Sequence, residues 1–260
     1  MASDQIKIGA DDFAPKLKII YPRNFLGEFS KSYEINNRQL LGQGVNYNGS
    51  LLLKGYWINH VVEIKDQSRF SAYASASESM FTGENEYGAV MKVFGPVAAT
   101  LKGGDVSYAA LVEFNSAQAA IDFWNDTDYE AARALLGPLD DESSVVERRV
   151  CCIEAEDILI SPNQWFWLNH VSEIKEEAAF FRYADASLTH FNCTAFGPVI
   201  HQHAGSQRIQ FAAALGFESG YNALNTYDTK SYRAALAEGG MSNGELHVVS
   251  RTICALPARS

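Results

Sequence analysis

Tyr56-Trp57-Ile58-Asn59-His60-Val61-Val62-Glu63-Ile64-Lys65 returns at a constant offset of 110 as Phe166-Trp167-Leu168-Asn169-His170-Val171-Ser172-Glu173-Ile174-Lys175. The match runs on. Phe70 and Tyr73 recur as Phe180 and Tyr183, and Phe94-Gly95-Pro96-Val97 recurs as Phe196-Gly197-Pro198-Val199. Further along, Phe114, Ser116, Tyr129 and Cys152 pair with Phe217, Ser219, Tyr232 and Cys254. A solenoid needs three or more shorter repeats, so two units of this length point to a fused pair.

Residues 54–154 and 161–258 parse alike. Tyr56–Ile64 alternates and is rich in aromatic and β-branched side chains, which predicts a strand. Asp66 is placed to cap a helix through Phe70, Tyr73 and Ser77. Met91–Leu101 and Ser107–Phe114 read as two strands joined at Lys102-Gly103-Gly104-Asp105. Ser116 then caps a helix through Phe123, a further helical turn spans Tyr129 to Leu136, and Val145–Ile153 reads as the closing strand. The order β-α-β-β-α-β is that of a ferredoxin-like α+β unit. One face of such a sheet stays apolar, and two units stacked in tandem cover it by forming an intramolecular barrel flanked by helices. Ser161-Pro162-Asn163 would be the linker, and residues 1–53, which belong to neither copy, an arm or a lid.

Leu111-Val112-Glu113-Phe114-Asn115-Ser116, then Ala119-Ala120, Phe123-Trp124 and Asp128-Tyr129-Glu130-Ala131-Ala132-Arg133, resembles the family catalogued as domain of unknown function 1330. The second copy diverges further, with Gly216-Phe217-Glu218-Ser219 and Lys230-Ser231-Tyr232-Arg233-Ala234-Ala235. The resemblance implies the dimeric α/β barrel superfamily, whose members include cofactor-free monooxygenases, cyclases, isomerases and haem enzymes. Fold alone therefore does not settle the chemistry.

The net charge of -10 argues against nucleic acid and against an anionic membrane surface as partners. No apolar run reaches the length of a spanning helix, and the first residues lack a secretory pattern, so a cytoplasmic chain is expected. Cys151, Cys152, Cys193 and Cys254 show no zinc or redox spacing and read as buried thiols.

Nine side chains invite a chemical role. His60 and His170 sit mid-strand among apolar neighbours, where an imidazole is either a catalytic base or a hydrogen-bonded core residue inherited by duplication. A first-strand histidine also resembles the arrangement in barrel relatives that cyclise polyketides. His201 and His203 replace Ala99 and Leu101 on one strand face, either inside the barrel or in solvent beside Gly205. The pair could contribute to a metal site with His170, His190 or Glu173, although no metal is expected. Tyr73 and Tyr183 could each donate a hydroxyl to a substrate oxygen or serve as core. Asp185 could orient His170 or His190, and Trp167 adds a flat apolar wall.

No phosphate loop, nucleophile elbow or dinucleotide fingerprint is present. The expectation is a cofactor-independent cyclase, isomerase or lyase of secondary metabolism acting on an apolar or aromatic, polyketide-like or terpenoid-like compound. A histidine (His170, then His201 or His203, with His60 as its repeat) would be the base, and Tyr183 or another imidazole would hold the enolate. Tyr73, Trp167, Asp185 and His190 would contact the substrate. A cofactor-free monooxygenase and a non-catalytic ligand binder are the alternatives, and a homodimer of the fused pair is possible.

Overall fold

The computed structural model describes residues 53–161 and 163–259; the arm or lid expected over 1–53 lies outside them but for Leu53. The first half runs β1 (Leu53–Ile64), α1 (Gln67–Ser77), β2 (Val90–Pro96), β3 (Ala99–Lys102), β4 (Tyr108–Phe114), α2 (Ala117–Trp124), α3 (Thr127–Ala134) and β5 (Val146–Glu156). The second runs β6 (Trp165–Ile174), α4 (Glu177–Ser187), β7 (Cys193–Pro198), β8 (His201–Ala204), β9 (Phe211–Phe217), α5 (Gly220–Asn225), α6 (Lys230–Glu238), α7 (Glu245–Val248) and β10 (Val249–Pro257). The expected caps are in place. Asp66 accepts from the Arg69 N–H at 3.0 Å, and Ser116 and Ser219 accept from Ala119 and Asn222 at 3.1 and 3.2 Å. Each such cap contributes about 1 kcal/mol.

The strand expected over Met91–Leu101 is two strands. β2 ends at Pro96, which has no N–H to continue a ladder, and β3 then leaves its own sheet. It pairs with β10 of the other half, while β8 pairs with β5 in return. The sheet orders are therefore β2-β4-β1-β5-β8 and β3-β10-β6-β9-β7, each a four-stranded antiparallel sheet completed by a strand from the opposite half. This exchange covers an edge on each sheet. At the tips beyond β3 and β8, Gly103 (φ 84°) and Gly205 (φ 102°) take left-handed turns. A Cβ on Gly103 would meet the Arg251 carbonyl at 2.7 Å.

Alternation then sorts every strand. Tyr56, Ile58, Leu111, Cys151, Ile153, Phe166, Leu168 and Cys254 form one cluster between the sheets. Trp57, Val112, Val150 and Cys152 face the first-half helices, and Trp167, Val171, Ile253 and Ala255 face the second-half helices. The register also corrects the cysteine match. Ile58 pairs with Cys151 and Leu168 with Cys254, so Cys151, not Cys152, is the counterpart of Cys254. Cys151, Cys152 and Cys254 are buried free thiols.

Candidate active site

Between the sheets, His60 and His170 stack with ring centroids 3.8 Å apart. They are 0% and 2% exposed. His170 Nε2 donates to the Ile58 carbonyl at 3.1 Å, and its Nε2 lies 3.5 Å from Cys151 Sγ; His60 Nε2 lies 3.6 Å from Cys254 Sγ. Burial, then the neighbouring His170 and Arg149, hold His60 well below the ordinary histidine range. Burial, with Arg149 acting in the same direction, lowers His170 to about 3. Both rings are thus neutral and enclosed by Ile58, Leu168 and the paired thiols. The repeated histidines fill the centre of the barrel.

The other side of the first sheet is open. A cavity of about 190 Å³ lies between that sheet and α1 and α3, with apolar walls from Phe70, Phe81, Met91, Val112 and Val150. Its polar lining includes Trp57, Asn59, Tyr73, Tyr129 and Arg148, together with Glu78 and Arg259. An outer groove of about 460 Å³, lined by Ser75, Glu78, Thr82 and Arg259, shares Phe81 and Met91 with it and forms its mouth. At the mouth Arg259 donates to Glu78 at 2.8 Å.

Arg148 dominates this cavity. It reaches the outer face because it lies two residues from both Val146 and Val150 along β5 and shares their face. It is 5% exposed, and among the described residues its Nε and one terminal nitrogen have no hydrogen-bond partner and its charge no carboxylate. Its guanidinium sits 5.6 Å from the Tyr73 ring and 5.4 Å from the Trp124 ring. Among the described residues the buried Trp57 Nε1–H also has no partner. Tyr73 and Tyr129 share a hydrogen bond of 2.9 Å between their hydroxyls. Burial, then Tyr73, raises the Tyr129 pKa well above 10, so at neutral pH it is a proton donor. The arrangement presents several N–H and O–H donors, one of them cationic, to an oxygen-bearing ligand.

The expected residues do not converge on one site. His203 projects from β8 onto the helix side of the first sheet, its ring 4.6 Å from Trp124 and 5.0 Å from Trp57. Burial, then His201, Arg133 and Arg148, lowers it to about 3. His201, 4.6 Å away, is exposed, so the two follow neither expectation cleanly. The cause is the strand exchange, which carries β8 out of its own half. Tyr183 is on the helix side of the second sheet, bonded to Tyr232 and to Arg251 at 2.7 Å, and so faces away from His170. Asp185 is exposed and orients neither His170 nor His190. His190 packs on Tyr232 at 5.4 Å, and Trp167 is buried with its N–H given to the Ala223 carbonyl at 2.6 Å. Among the described residues no three His, Cys, Asp or Glu side chains are grouped to hold a metal ion. Of the expected contacts, Tyr73 alone lines the cavity.

Arg148 escaped the sequence reading because of one residue. Matching Cys152 to Cys254 sets Arg149 opposite Arg251, whereas the true register aligns Val145-Val146-Glu147-Arg148 with Val248-Val249-Ser250-Arg251. A repeated arginine on the apolar side of a strand was the available signal.

The model of the family described as Domain of unknown function (DUF1330) matches residues 54–148. That span carries most of the cavity lining. No curated protein sequence matches the chain. Among solved structures, an anthrone oxidase-like protein aligns with 80% of this chain and 92% of its own at TM-score 0.51 and 8% identity. A monooxygenase-like protein from Fusobacterium nucleatum covers 80% and 93% at TM-score 0.49 and 12% identity. A chlorite dismutase from Candidatus Nitrospira defluvii, in complex with imidazole, covers 79% and 91% at TM-score 0.43 and 8% identity. At such identities the likeness concerns the fold, a dimeric α/β barrel of ferredoxin-like units.

Proposed function

We propose that the chain is a tandem pair of diverged copies of one unit, and that the first copy is a small-molecule enzyme working in the cavity beneath α1 and α3. Arg148 carries this reading, because a buried guanidinium with no acceptor among the described residues costs several kcal/mol unless a ligand supplies one. A substrate carbonyl oxygen would accept from Arg148 and from the Tyr73–Tyr129 pair. Those donors strengthen as negative charge develops on that oxygen, which favours an enolate over the ketone. Glu78, the carboxylate lining the mouth, is the group available to take the α-proton and return it elsewhere on the carbon skeleton. The outcome is an isomerisation or ring closure of an apolar, oxygenated compound, without a cofactor. His60 and His170 then have a structural role, and His203 tunes the field around Arg148.

The anthrone oxidase-like neighbour makes oxygenation the second reading. The same enolate would add dioxygen as a hydroperoxide, and loss of water would turn the attacked CH₂ into a carbonyl.

Mass spectrometry of small molecules from the source organism, with and without this gene, tests both. Accumulation of a compound equal in mass to the missing product supports isomerisation or cyclisation. A missing product in which one oxygen has replaced two hydrogens supports oxygenation. An unchanged profile overturns the enzyme reading.

A further inference from the structure

The second half contains the first half's site with an occupant already in it. Strand register places Arg251 where Arg148 stands, opposite Val171 and Val61 respectively. Tyr183 and Tyr232 repeat Tyr73 and Tyr129, and both pairs are joined hydroxyl to hydroxyl. The difference is Glu245. It is 7% exposed, forms an ion pair with Arg251, and accepts from Tyr227 at 2.7 Å and from Lys102 at 2.9 Å. Counting back from the matched Val145 and Val248, the corresponding residue of the first half is Glu142, which is exposed. Among the described residues no carboxylate forms an ion pair with Arg148, and Arg133 adds a second positive charge nearby. Trp167 likewise gives its N–H to the chain, while the N–H of Trp57 has no partner among the described residues.

We infer that the ligand of the first-half cavity carries a carboxylate, which binds Arg148 as the Glu245 carboxylate binds Arg251. The inference rests on the reading of this cavity as the working site and adds the class of compound it takes: an aromatic or cyclic carboxylic acid. One edge of the Arg148 guanidinium fixes this carboxylate and its remaining N–H groups reach the ketone oxygen beside the Tyr73–Tyr129 pair, while the apolar walls from Phe70, Phe81 and Val112 hold the body of the ligand. Glu245 makes the second half a permanently filled copy, so one ligand binds per chain.

Benzoate is the probe, titrated into the full chain by calorimetry and by the fluorescence of Trp57 and Trp124, with benzamide as the uncharged control. One benzoate should bind per chain, and benzamide should bind at least about 30-fold more weakly, the loss expected of a missing charge-assisted pair. Arg148→Gln should weaken benzoate by a similar factor. Glu245→Ala should raise the stoichiometry from one to two, and benzoate should restore the melting temperature that this variant loses. If Glu245→Ala does not fold, the benzoate–benzamide comparison on the wild-type chain and on Arg148→Gln decides alone. Equal binding of the two probes, or benzoate binding untouched by Arg148→Gln, overturns the inference. So does the absence of benzoate binding. Should benzoate not bind while gene deletion still changes the metabolite profile, the carboxylate assignment falls and the enzyme reading stands.

Discussion

Arg251→Met should destabilise the fold by about 3–5 kcal/mol, whereas Arg148→Met should leave stability unchanged or raise it by about 1–2 kcal/mol. The two arginines occupy matching positions and are 6% and 5% exposed, so burial cannot separate them. Their partners do. Removing Arg251 strands the Glu245 carboxylate beside Lys102 and Tyr227 alone, and takes a hydrogen bond from Tyr183. Burial raises the Glu245 carboxyl, but Arg251, Tyr227 and Lys102 outweigh it and hold the pKa below the ordinary glutamate value. That balance collapses without Arg251. Removing Arg148 strands no carboxylate of the described residues; it relieves a desolvated charge and forfeits ring contacts with Tyr73 and Trp124 worth about 0.5–1 kcal/mol each. Urea denaturation of both variants checks the sign. A gain of stability together with a loss of function is the mark of a residue retained for its ligand.

Acid should unfold the chain early, with the midpoint at about pH 4–5. His60, His170 and His203 are neutral in the fold, His170 and His203 near 3 and His60 well below its ordinary value, in each case with burial as the leading cause. In the unfolded chain a histidine titrates near about 6.5. Above that pH neither state is protonated and these groups do not discriminate. From about 6.5 down to the folded values the unfolded chain alone takes up protons, so stability falls with pH. Each histidine contributes up to about 1.4 kcal/mol per pH unit, and three together about 4. Two units of acidification remove about 8 kcal/mol, which is within the whole stability of an ordinary domain. Urea midpoints at pH 7, 6 and 5 should fall steeply, and His170→Gln should reduce that slope by about a third. Midpoints that do not move with pH would contradict the neutral, enclosed histidines.

The architecture was legible because it rests on local, repeated signals: capping side chains at Asp66, Ser116 and Ser219, alternation along Tyr56–Ile64, and the echo of that strand at Phe166–Ile174. The exchange of β3 and β8 was not legible. Pro96 and Pro198 end a strand in either topology, and a sequence does not say which sheet the next four residues join. That one undetermined step decided where His201 and His203 went: it set His203 against Trp57 and Trp124 instead of His170 and left His201 exposed. The histidines drew attention because their chemistry is versatile, yet alternation turns His60 and His170 toward the sealed interior. Arg148 resembled one of two adjacent surface arginines, and only the strand register shows which of them is inward of the helices.

If chemistry belongs to the cavity at Arg148 and not to the histidine pair at the barrel centre, substitutions at Arg148 and His170 should differ sharply in their effect on product. The direct test returns Arg148→Met or His170→Gln chains to the deletion strain and measures product formed per amount of folded protein. Product should fall by about 100-fold or more with Arg148→Met and stay within about threefold of wild type with His170→Gln, as expected when one variant removes an oxyanion donor and the other does not. Full product from Arg148→Met, with none from His170→Gln, would contradict the account.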